Sequence, residues 1–140
     1  MSRRLSREIA IQSLYQQDVH PEADLQMIRE LEKKVQGEDL DFYRVLVQGV
    51  KEYHPLIDPI LERYVKEGWK LSRLSAVDRA VLRVATLELL YQPETPSGAV
   101  LNEAVELSKA FSGMETSRFI NGILGKLAKD LDQLREEIQQ

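Results

Sequence analysis

The amino-acid sequence predicts an all-α protein of about seven helices, folded as one unit over residues 1–140. Apolar residues recur at spacings of three and four from end to end, and no stretch shows the alternation of a strand. Long segments are built from Leu, Ala, Glu, Lys, Arg and Gln, which lose little rotamer freedom in a helix. Aromatic residues make up only 6% of the chain, and Gly and Pro number 7 and 5, so turns are few. With 43% apolar and 30% charged residues, 140 residues can bury one respectable core or two small ones packed together.

The first helix runs from about Ser2 to Asp18, turns Leu5, Ile9 and Leu14 inward, and breaks at Pro21. The second follows an Asp24 cap, places Leu25, Ile28, Leu31 and Val35 on one stripe, and stops at Gly37. A third starts at Asp39 or Asp41 and carries Phe42, Leu46, Gly49, Val50 and Tyr53 in register. Pro55 and Pro59 confine the start of a fourth to the segment before Ile60, Leu61, Tyr64 and Val65, with Gly68 closing it. The fifth, Ser75 to Tyr91, opens on a capping-box pattern of Ser75 and Asp78. Val77, Ala80, Val81, Leu82, Val84, Ala85, Leu87, Leu89 and Leu90 leave it few positions for water, which predicts a central helix. After Pro93 and Pro96 comes a sixth with Val100, Ala104, Leu107 and Phe111, ended by Gly113. Thr116 caps a seventh with Phe119, Ile123, Leu124, Leu127 and Leu131 as its buried stripe, and a polar end frays after about Leu134. A soft boundary near Gly68 divides the chain into 1–68 and 69–140.

Cysteine is absent, which excludes disulfides and thiolate metal sites and suits a reducing cytoplasm. No apolar run approaches the roughly 20 residues that span a bilayer, and no hydrophobic signal core follows the first arginines. The expectation is a soluble cytoplasmic protein without membrane attachment. Catalytic constellations are missing as well. His20 and His54 each adjoin a proline at an expected helix end, without metal-ligand spacing. Acidic pairs such as Glu103 with Glu106 and Asp130 with Asp132 read as solvated helix surface. Gly122-Ile-Leu-Gly125 mimics the clamp of a KH module but lies in a helical stripe, where glycines serve close helix packing. The pattern predicts no enzyme, no cofactor and no metal.

Charge placement is more informative than net charge, which is −4. Arg3, Arg4 and Arg7 open the chain, and Lys70, Arg73, Arg79 and Arg83 face only Asp78 in a second basic stretch. Folded onto one face, the two clusters would make a local field able to hold phosphates. Arg79 and Arg83 are four apart and share a helix face that Thr86 continues. They either pair with carboxylates such as Asp78 or Glu88 or stand open to a ligand. Positive charge at a helix N-terminus opposes the macrodipole by some tenths of a kcal/mol, whereas a phosphate there meets both the arginines and free N–H groups.

Three blocks carry a resemblance: Arg3-Arg4-x-x-Arg7-Glu8-x-Ala10-x-Gln12-x-Leu14-Tyr15-Gln16; Trp69-x-x-x-Arg73-Leu74-Ser75-x-Val77-Asp78-Arg79-x-x-Leu82-Arg83-x-Ala85-x-x-Glu88-Leu89; and Pro96, Asn102-Glu103-Ala104-Val105-Glu106-Leu107, Lys109, Phe111 with Ser117-Arg118-Phe119-Ile120-Asn121-Gly122-Ile123-Leu124. In order and spacing, from Arg3 to about Lys129, they closely resemble the NusB family of transcription antitermination factors. The resemblance implies seven helices in two small packed bundles. It implies a heterodimer with NusE, a small-subunit ribosomal protein, that binds boxA RNA of nascent ribosomal RNA transcripts. With other Nus factors the pair would load an antitermination complex on RNA polymerase, and no bond would be made or broken.

By the same resemblance Arg3, Arg4 and Arg7 match an arginine-rich motif that neutralises phosphate, with Leu5 interrupting the basic run. Tyr15 and Phe119 match aromatics on which bases stack, although Phe119 also lies on the apolar stripe and either ring could be core. Gln12, Arg79, Arg83, Arg118 and Asn121 would add phosphate or base-edge contacts, with Thr116 and Ser117 at the start of the last helix. Asp78, Glu88 and Glu103 are the acidic candidates for the basic NusE surface. Two other classes fit the features less well: a protein-interaction module or homodimer that buries the arginine surface, and an RNA-modifying enzyme that would need a further domain.

Overall fold

In the computed structural model, which describes residues 3–20, 25–65 and 70–139, all regular structure is helical. The α-helices are α1 (Arg4–Val19), α2 (Leu25–Glu32), α3 (Glu38–Glu62), α4 (Ala76–Tyr91), α5 (Ser97–Ser112), α6 (Met114–Lys129) and α7 (Leu131–Gln139), with a 3-10 turn at Leu71–Arg73 before α4. The expected Ser2, Pro21, Asp24 and Gly68 boundaries lie outside the described residues.

α4 is the hub. Ser75 is extended and its Oγ accepts the Asp78 N–H at 3.2 Å, satisfying one of the donors a helix start leaves free. The reciprocal arm of a capping box is missing, because Asp78 Oδ1 instead accepts the Ser112 hydroxyl at 3.0 Å. α4 packs against α1, α3, α5, α6 and α7. Leu82, Leu87 and Leu89 on it are at most 2% exposed, and truncating such a side chain to Ala costs about 2–5 kcal/mol. One continuous core joins Ile9 and Leu14 of α1, Leu46 and Ile57 of α3, Leu107 of α5, Leu124 of α6 and Leu134 of α7 through this helix.

The helix count agrees with expectation while its partition differs. α3 runs on through Pro55 and Pro59, where two helices were expected. Each proline removes an N–H from the ladder and crowds the carbonyl four residues back. Both lie on the solvent side, four apart, and Lys51 and Pro55, whose carbonyls they free, are exposed residues. The inner side holds Ile57, Ile60 and Leu61, buried to 4% or less, and tertiary packing overrides the local break.

At the other end, the expected last helix is two. α6 stops at the Asp130 cap, whose carboxylate accepts the Tyr64 hydroxyl at 2.7 Å. α7 continues the apolar stripe with Leu131 and Leu134. The end does not fray after Leu134: Arg135 donates to the Leu89 carbonyl at 2.8 and 3.1 Å, and Ile138 packs on the core. Thr116 does not cap α6, which begins at Met114 directly after Gly113. Gly113, at φ 105°, is the one-residue joint between α5 and α6 and needs the left-handed freedom of glycine. Close helix packing belongs to a different glycine from those expected. A Cβ on Gly122 or Gly125 would meet nothing within 4 Å, whereas one on Gly49 would lie 2.7 Å from Leu87 Cδ2.

Candidate nucleic-acid interface

The first turn of α1 is built in two levels. Arg7 lies beneath, with a side chain 9% exposed, and its Nε and Nη2 donate to the two carboxylate oxygens of Glu88 at 2.7 Å each. Glu88, 1% exposed, is thereby removed from any partner surface, and Arg7 from phosphate contact. Both expectations are corrected by the same physics: two opposite charges this deep are stable only as a fully hydrogen-bonded pair. Above them, Arg4 donates to both oxygens of Glu103 at 2.8 and 3.2 Å. That pairing holds the Glu103 carboxyl below its ordinary pKa and raises that of Arg4, the hydrogen bond between them being the main cause of each shift. Arg3 sits with its guanidinium carbon 4.2 Å from the centre of the Phe42 ring, and its Nη1 reaches Thr95 Oγ1 at 3.4 Å.

The two basic clusters do not share this turn. α1 and α4 run antiparallel, so Arg7 meets Glu88 near one end while Arg79 meets Asp18 near the other, at 2.9 Å. Eleven residues of helix, about 16 Å, separate Arg7 from Asp18. Arg79 also donates to the Leu74 carbonyl at 2.6 Å, and Arg83 grips Asp58 through Nε and Nη2 at 2.9 and 2.8 Å. These arginines pair with carboxylates, but with Asp18 and Asp58 rather than the nearby Asp78 and Glu88. They line a cleft of about 360 Å³ with Glu62, Leu71 and Ser72, where three carboxylates offset two guanidinium groups. Thr86 does not extend a polar strip, being fully buried.

Arg4, Glu8, Gln12 and Tyr15 recur at helical spacing along one face of α1. Arg4 meets Glu103 of α5 at one end. At the other, Gln12, Tyr15 and Gln16 line a groove of about 450 Å³ with Met27, Leu31, Val77 and Phe111. Arg73, Ser75, Asp78, Glu115, Thr116 and Phe119 line another cleft, of about 430 Å³. Tyr15 and Phe119 are both half-buried with a ring on a groove wall, and each also packs on the core. Arg118 and Asn121 are exposed on α6. Ser117 is buried, its hydroxyl donating to the Met114 carbonyl at 2.6 Å, so it is not presented to a ligand.

Among the described residues no group of three or more His, Cys, Asp or Glu is placed to hold a metal ion. No helix of the described residues is long and apolar enough to cross a membrane. Phe42 is the residue that spacing alone assigned only to the core. An aromatic five positions after Gly37 carried no signal of its contact with two arginines distant in sequence.

What the helices define is an all-α scaffold wrapped round one central helix, with a polar and aromatic strip along α1 and α5. The family model described as the NusB family matches residues 4–129, and the chain belongs to that family. A transcription antitermination protein NusB of Acetivibrio thermocellus is 43% identical, over 92% of this chain and 90% of its own length. That of Bacillus subtilis is 37% identical, over 95% and 99%. Among solved structures, T. maritima NusB superposes with a TM-score of 0.84 at 35% identity, covering 93% of this chain and 92% of that one. A complex of antitermination factors NusB and NusE with double-stranded RNA gives 0.80 at 26% identity, covering 91% and 96%.

Proposed function

We propose that this chain is a cytoplasmic antitermination factor that binds boxA RNA of nascent ribosomal RNA transcripts together with NusE. With other Nus factors the pair loads an antitermination complex on RNA polymerase, without catalysis by this chain. The observation that carries the reading is the likeness, over nearly the whole chain, to a NusB solved with NusE and RNA. The strip on α1 and α5, with the start of α6, supplies the matching chemistry. Arg3 and Arg4 offer cationic donors for phosphate, and Tyr15 and Phe119 offer rings for unstacked bases. Gln12, Thr116, Arg118 and Asn121 add polar contacts around them. Asp78 and Glu103 are the acidic groups left near the surface for a basic partner. Arg79 and Arg83, held by Asp18 and Asp58, are assigned to the scaffold.

Titration of labelled boxA RNA and a scrambled RNA of equal length, with and without NusE at two salt concentrations, tests the proposal. Selective binding to boxA, strengthened by NusE and weakened by salt, is the expected result. Equal weak binding to both RNAs with no NusE effect would overturn it, and a concentration-dependent dimer insensitive to RNA would point to self-association as the task of this surface.

A further inference from the structure

We propose that Phe42 is a positioning residue for RNA recognition, its ring holding the Arg3 guanidinium at the surface where a phosphate would meet it. The inference rests on the RNA-binding reading above and adds to it a residue that does not itself touch RNA. Arg4, Arg7, Arg79 and Arg83 each have a carboxylate on their donor edge. Arg3 is held differently. Its guanidinium lies over the Phe42 ring at 4.2 Å, and its polar contact among the described residues is the 3.4 Å approach to the neutral Thr95 hydroxyl. A guanidinium on a ring uses its face, while its five N–H donors radiate in the plane. Stacking therefore restrains the side chain without taking an edge of the fork that grips a phosphate, whereas a carboxylate partner takes one edge, as Glu103 does on Arg4.

The platform is itself fixed. Phe42 is 7% exposed at the start of α3, and Arg7, pinned by Glu88, lies 5.6 Å from the same ring centre. Ser6 ties the same turn of α1 to α3 through the Asp39 carbonyl at 2.8 Å. Arg3 thus stands on a buried ring, and some of the rotamer freedom that RNA binding would remove from it is lost beforehand.

A double-mutant cycle tests the assignment. Affinity for boxA RNA in the presence of NusE is measured for wild type, Phe42→Leu, Arg3→Ala and the double variant, with melting temperatures recorded beside it. Phe42→Leu should weaken binding by about two- to fivefold, as expected for loss of an exposed cation–π contact. It should also reduce the slope of log affinity against log salt by up to about 0.7. In the Arg3→Ala background the same change should have no further effect. Phe42→Tyr, which keeps the ring, should retain wild-type affinity. Equal losses in both backgrounds would overturn the proposal, since the ring would then act through the core.

NMR of the Arg3 side chain separates the two readings. Its δ protons should be shifted upfield by the ring in wild type and return to ordinary values in Phe42→Leu. Unshifted protons in wild type would refute the placement whatever RNA does. Wild-type protein that binds no RNA would overturn the antitermination reading, and with it the role of Phe42, while the NMR shift would still report the stacking itself.

Discussion

Replacing Arg7 by Met should destabilise the protein far more than it alters any surface chemistry. The change leaves the Glu88 carboxylate, 1% exposed, without the two 2.7 Å hydrogen bonds that compensate its burial. Breaking one side of such a pair costs about 3–5 kcal/mol. In a chain of 140 residues, each kcal/mol moves the melting temperature by roughly 4 °C, so a fall of about 12–20 °C is expected by circular dichroism. Replacing both partners, Arg7→Met with Glu88→Leu, removes the orphaned charge and should recover most of the loss. RNA affinity of the folded double variant should stay within a few-fold of wild type, because Arg7 does not reach the surface. An Arg7→Met protein that melts within a few degrees of wild type but loses RNA binding would refute this reasoning. Arg7 would then be a phosphate ligand and the pair with Glu88 expendable.

Other consequences of the geometry are open to measurement. Changing Arg3 and Arg4 to Ala together should leave helicity unchanged and flatten the salt dependence of RNA binding by about 1.4, two phosphate contacts at roughly 0.7 each on a single strand; an unchanged slope would place the phosphates elsewhere. The Glu103 carboxyl is depressed below 4.5 by Arg4, so its contribution is present above that pH and lost as pH falls through the lower folded value. Urea denaturation of wild type and Glu103→Gln should accordingly differ at pH 7 and converge under acid. The Tyr64 hydroxyl is pushed up to about 12, mostly by burial and then by its bond to Asp130. The stability it contributes is complete below pH 10 and fades as pH rises toward 12, and ultraviolet titration should lose one late-ionising tyrosine in Tyr64→Phe. In Gly49→Ala the new methyl meets Leu87, which is 2% exposed. Overpacking of about 1–3 kcal/mol should outweigh the better helix propensity of Ala and lower the melting temperature, and a rise would show that Leu87 has room to move.

Helices whose signals are local were legible in the sequence. α4 begins and ends where Ser75 and Tyr91 placed it, and its near-continuous apolar run announced its central position. The failures occurred where distant residues decide. Pro55 and Pro59 are helix breakers by every local criterion, yet the buried Ile57, Ile60 and Leu61 hold α3 together around them. Asp130 ends α6 while the apolar stripe continues across it, because its cap is bound by Tyr64 from 66 residues away. Site prediction divides in the same manner. Clustered charge marks Arg3 and Arg4, and the family's motifs add Gln12 and Tyr15; Arg4, Gln12 and Tyr15 lie along one face of α1. Neither signal could show that Arg7 is matched by Glu88, 81 residues distant, or that Arg79 finds Asp18, 61 residues distant. Charge along a sequence records how many ions a surface has available and leaves open which of them the core has already paired.

The most direct test of the account is terminator read-through in a reconstituted transcription reaction containing NusE and the other Nus factors. The template carries boxA in its leader, and a matched template has boxA scrambled. Adding this protein should increase read-through on the boxA template alone, and the Arg3→Ala, Arg4→Ala variant should lose most of that increase. Equal read-through on both templates, or none added by the wild-type protein, would contradict the assignment of this surface to boxA-dependent antitermination.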